Sequence, residues 1–236
     1  MIPVISLFHA ASAAVCGALF IRTSRRYLAF HDTTTRYFAL FYFFLLLFFA
    51  CAAAPGLVTK DGFLIAAAAA FGYAALFVAV AYLLRVALSI YQHPALGTLY
   101  FRAVVAAGLS VLLAILASLD PAVAVPAGTF VFYKVRVPTI IRILVGVVPI
   151  AIGAYSAVMF FHGAHALQRS TSSGPLTSGV IRRSYLITIG MTFLLAAGVT
   201  NFLVYSFYPT SLFLFVASSL AVIGLLILWG GVRLFP

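Results

Sequence analysis

The chain has 236 residues, 65% of them hydrophobic and only 7% charged, with a formal net charge of +11. A soluble domain carries about 25% charged residues, so an ordinary soluble core is excluded, whereas a bilayer crossing needs roughly 20 apolar residues and several fit. Because the basic residues flank apolar runs, their natural partner is an anionic lipid headgroup and not nucleic acid.

The first predicted span runs from Pro3 to Ile21 and contains His9 and Cys16. No basic residue precedes it, so it reads as a retained span and not as a cleaved leader. Small residues from Ala10 to Gly17 suit close helix packing. The polar stretch from Arg22 to Arg36, with Arg25, Arg26, His31 and Asp32, reads as a turn in water or headgroups. Basic residues close to spans favour the cytoplasmic side, which places this turn inside and the N-terminus outside.

A second span, Tyr37 to Ala54, carries Phe and Leu around its whole circumference, as a lipid-facing helix does. The third, Phe63 to Leu84, includes the alanine run Ala66 to Ala70 and belongs near the bundle centre. Arg85, His93 and Arg102 mark the connection to the fourth, Phe101 to Leu119. Residues 121–140 then form an external segment punctuated by Pro121, Pro126, Gly128 and Pro138. Within it, Thr129 to Val137 is aromatic and β-branched and reads as extended, open to strand addition by a partner; a helical or re-entrant form is the alternative.

The fifth span, Ile141 to Ala166, should bend at Pro149. A Ser- and Thr-rich stretch, 168–183, reads as a mobile loop, and the last two spans cover 185–205 and 211–232. The expected fold is an all-α integral membrane protein: a seven-transmembrane-helix bundle in one membrane domain, multi-pass in an inner or plasma membrane, with an external N-terminus and a cytoplasmic C-terminus. Ten basic residues fall inside in this scheme, against four outside (Lys60, Lys134, Arg136 and Arg142).

Polar residues in the spans are the candidate binding groups. His162 and His165, three apart, share a helical face, but two histidines leave a zinc shell incomplete, so no metal set is assigned. His9 lies roughly 20 Å from the first turn by helical rise, and His162 only about 6 Å from its own helix end. Those depths do not suit a bis-histidine haem bridge. Asn201 needs several hydrogen-bond partners and could meet His9 near the external side or bond with backbone alone. Lys134, Arg136 and Arg142 form an external patch for lipid phosphate or a protein partner, and Arg22, Arg25, Arg26, Arg182 and Arg183 anchor the inner side.

There is no glutamate, and Asp32, Asp61 and Asp120 are the sole acids. Paired catalytic carboxylates, a nucleophile arrangement and a CxxC pair are all missing from the sequence. The expected function is a non-catalytic membrane subunit that organises lipids and a protein partner in a larger complex. The alternatives are a bacterial sensory or ligand-binding seven-helix domain, and a redox subunit in which His9 with Asn201, or His162 with His165, lines a haem, metal or quinone pocket. The sequence does not name a cofactor.

Overall fold

A computed structural model describes residues 3–90, 94–127, 129–170, 175–208 and 210–233. The predicted connection residue His93 lies outside the described residues. Four helices come first: α1 (Val4–Phe30), α2 (Thr33–Val58), α3 (Gly62–Ile90) and α4 (Pro94–Ala117). A hairpin follows, β1 (Val123–Ala127) and β2 (Phe130–Lys134), and then α5 (Thr139–Ser170). Next, α6 (Pro175–Gly198) passes through a π-helical segment, Val199–Val204, into the short α7 (Tyr205–Phe207), and α8 (Ser211–Arg233) closes the chain. Seven of these helices are long and apolar enough to cross a membrane.

The helices run past the predicted spans because polar residues do not stop a helix that has left the hydrocarbon. At 1.5 Å per residue, the 27 residues of α1 reach about 40 Å, beyond a hydrocarbon core of about 30 Å. Arg22, Arg25 and Arg26 therefore sit on the last turns of α1 and not in a turn, which corrects the sequence reading. The reversal itself takes only two residues. His31, at φ 51°, closes α1 by donating its N–H to the Tyr27 carbonyl at 2.7 Å. Asp32 opens α2 by accepting from the N–H and the hydroxyl of Thr35, at 2.8 and 2.7 Å.

A second correction concerns the stretch read as a mobile loop. α5 continues to Ser170 and α6 begins at Pro175, a residue suited to a first helical turn because its missing N–H would have no partner there. Only 171–174 separate the two helices, and these lie outside the described residues.

The segment read as extended is a strand, but its partner is internal. β2 pairs antiparallel with β1, Val123 opposite Lys134 and Val125 opposite Phe132, so residues 123–127 supply one neighbouring strand from within the chain. Pro126 is tolerated because a two-stranded sheet consists of edges. The hairpin is stitched to the bundle where Ala122 donates its N–H to the Gly62 carbonyl at 2.9 Å.

Burial of apolar surface does little to join helices in lipid, so close packing and polar contacts carry the association. Gly190 of α6 and Gly224 of α8 show this: a Cβ at Gly190 would stand 2.9 Å from the Gly224 carbonyl oxygen, and one at Gly224 would stand 2.8 Å from that of Gly190. α3 packs against α2, α4 and α5, with Ala66, Ala70, Ala79 and Ala81 fully buried. Arg85 is not at the end of α3 but inside it. Its guanidinium donates to the Thr98 hydroxyl at 2.8 Å and lies about 5 Å from the Tyr37 and Phe101 rings, binding α2, α3 and α4 together.

Candidate ligand-binding site

Asn201 lies in the π-helical segment, Val199–Val204, that continues α6. A π-helix inserts one residue relative to the α-helical ladder and is frequent at functional sites. The distortion packs Phe202 against α5, where Gly146 leaves room for its Cβ. A further small residue of α5, Gly153, faces Leu195 in the same way. Pro149, between them, removes a backbone donor from α5 and borders the cavity described next.

Two cavities meet at this level. The inner one, about 120 Å³, is walled mainly by Phe and Leu side chains of α2, α3 and α6, with His9, Asn201 and Ser218 as its polar residues. The outer one, about 150 Å³, opens beneath the hairpin and is bordered by Tyr73, Tyr133, Tyr205, Lys134 and Arg142. His9, Phe48, Asn201 and Phe202 line both. The two spaces thus share a wall whose polar groups come from α1 and the π-helical segment.

His9 and Asn201 line the same two cavities, and no hydrogen bond joins their side chains among the described residues. The His9 ring packs against Phe49, 5.8 Å between centroids, and its Nδ1 is buried with no hydrogen-bond partner among the described residues. Leaving such a group unpaired costs about 1–3 kcal/mol. The other intramembrane hydroxyls of α6 satisfy themselves: Thr188, Thr192 and Thr200 donate to the carbonyls of Ser184, Thr188 and Ala196 at 3.0, 2.9 and 2.8 Å. Each donates its hydroxyl within its own helix, in contrast to His9 Nδ1.

Of the predicted outer patch, Lys134 and Arg142 reach the outer cavity, while Arg136 is exposed and borders only a shallow groove with them and Asp120. Arg142 donates to the Val135 carbonyl at 3.3 Å and lies over the Tyr205 ring, 5.8 Å from its centroid.

His162 and His165 do not join this site. They flank Phe161 at the opposite end of α5, with His165 stacked on that ring at 6.2 Å and His162 edge-on at 6.1 Å. Tyr185 also contacts Phe161, so the pair sits in an aromatic cluster, and no group of three metal-ligating side chains occurs among the described residues. At that same end, Arg22, Arg25 and Arg26 line a separate cavity with Asp32. Arg183 lies near enough to Arg26 to feel its charge, and Arg182 is exposed.

Sequence reasoning missed Tyr73, Tyr205, Ser218 and the π-helical distortion. The first three look like ordinary span residues until the helices are assembled, and nothing in Val199-Thr200-Asn201-Phe202 announces an inserted turn. No protein-family model and no curated protein matches this chain.

Proposed function

We propose that this chain is a multi-pass membrane protein that binds a small amphipathic molecule within its helix bundle, in the manner of a seven-helix sensory domain. The observation that carries the reading is the buried His9 Nδ1, without a hydrogen-bond partner among the described residues, in the wall shared by two cavities that Asn201 of the π-helical segment also lines. A buried polar group of this kind is stabilised by a ligand that supplies the missing hydrogen bond, and a carbonyl or hydroxyl would do so. The hairpin end faces outward in this proposal, because ten basic residues flank the opposite helix ends and four flank the hairpin end.

Purification in lipid nanodiscs followed by small-molecule and lipid mass spectrometry tests the reading. A molecule retained by the unaltered chain and lost from His9→Ala supports it. An identical small-molecule profile from both chains sinks it.

A non-catalytic subunit in a larger complex is the second reading, and α4 favours it. This helix packs almost wholly on α3 and leaves Leu99, Leu109 and Leu113 exposed. Acyl chains cover such a face equally well, so it carries less weight than the cavity. A stoichiometric protein partner in the same preparation would support it, and a lipid-solvated monomer would remove it.

A further inference from the structure

Resting on the reading of the shared wall as a binding site, we infer that its ligand is a single-chain amphiphile with an anionic head, held by Lys134 and Arg142 while its chain passes His9 and Asn201 into the inner cavity. The charge pattern decides the head. Among the described residues, Lys134 and Arg142 are the only lysine or arginine residues lining the outer cavity, and no acid lines it. Asp120 borders the adjoining groove but forms no ion pair with either among the described residues.

The geometry decides how the head is held. Arg142 is fixed by the Val135 carbonyl and the Tyr205 ring, and these engage only part of a guanidinium that has five N–H donors. Lys134 ends β2, so the hairpin register places it beside the same opening. A preorganised arginine with spare donors, next to a lysine at a half-buried mouth, matches a carboxylate or a phosphate monoester. The walls become apolar going inward, and His9 and Asn201 stand where chain and head join.

The inner volume decides the chain. An apolar cavity of about 150 Å³ accommodates benzene, and the inner chamber here is about 120 Å³. Such a space takes only the terminal few carbons of one acyl chain, the rest lying in the outer cavity of about 150 Å³, and it excludes a second chain.

The test compares retention of labelled decanoate and labelled decanol by protein-loaded nanodiscs of neutral lipid, with empty nanodiscs subtracted. Decanoate should bind at least about tenfold more tightly than decanol, since one charge-assisted contact of about 1.4 kcal/mol gives that ratio. Raising the salt should reduce the ratio in the unaltered chain. Lys134→Gln should lower it about threefold, and Lys134→Gln with Arg142→Gln should bring it to about one. Because the double variant could fail to fold, the single variant and the salt series stand on their own. Equal retention of both probes by the unaltered chain overturns the anionic head and leaves the cavity reading intact. Retention of neither overturns both.

Discussion

The guanidinium of Arg142 lies over the ring of Tyr205, 5.8 Å from its centroid, and so ties the first turn of α5 to the end of the distorted α6. The same side chain reaches the Val135 carbonyl just beyond β2. One residue therefore holds together the hairpin, the entry of α5 and the exit of α6. Arg142→Ala should destabilise the protein by about 1–2 kcal/mol, through loss of a cation–π contact and a charged hydrogen bond. Arg142→Lys should recover less than half of this, because an ammonium cannot stack flat on the ring and reach the carbonyl in the same geometry. Thermal melts of both variants in one detergent check this, and a lysine variant as stable as the original would refute it.

His9 should be a position where stability and binding oppose each other. Replacing a buried group that lacks a partner by an apolar one removes a desolvation penalty, so His9→Leu should stabilise the ligand-free protein by about 1 kcal/mol. The same variant should lose ligand retention. A lowered melting temperature in ligand-free His9→Leu would show that the imidazole is a structural group.

The approach of Gly190 to Gly224 leaves no space for a side chain at either position. Gly190→Ala should force α6 and α8 apart and cost about 1–3 kcal/mol. Gly163, around which a Cβ would meet nothing within 4 Å, is the control: Gly163→Ala should be neutral or stabilising by up to about 1 kcal/mol. Melting temperatures of the pair measured side by side decide it.

Asp32 gives the opposite end a pH dependence. Partial desolvation raises its carboxyl, but hydrogen bonds from the side chain and backbone of Thr35, with the nearby charge of Arg26, outweigh this and hold it below its ordinary value. A carboxyl depressed in the folded state contributes stability above its unfolded pKa, about 3.9, and that contribution fades as pH falls through the folded value. Between pH 6 and 8 this residue should therefore add no slope. Asp32→Asn, which keeps a capping oxygen, should lose the acid-side slope and melt within about 0.5 kcal/mol of the original at pH 7. An unchanged acid limb in Asp32→Asn would refute the assignment.

The seven long helices were legible in the sequence because hydrocarbon imposes a one-dimensional requirement. Each crossing needs a run of apolar residues of fixed length, and every backbone group within it must be satisfied inside the helix. The helix ends were less legible. Arg22, Arg25 and Arg26 interrupt hydropathy without interrupting α1, and a Ser- and Thr-rich run did not prevent α6 from starting at Pro175. Composition shows where lipid ends, whereas hydrogen bonding shows where a helix ends.

His9, Asn201, Lys134 and Arg142 were each identifiable as unusual from the sequence, since polar groups in or beside spans are costly. Their convergence on two adjacent cavities, and the separation of His162 and His165 from them, depended on tertiary structure. Helical spacing constrains residues within one turn, but His9 and Asn201 lie on α1 and the π-helical segment, and their shared cavities follow from how α8 packs against both. The π-helical segment that carries Asn201 belongs to the same class: its inserted residue is accommodated where Gly146 and Pro149 of α5 meet it. That match is between two surfaces, and no single stretch of chain encodes it.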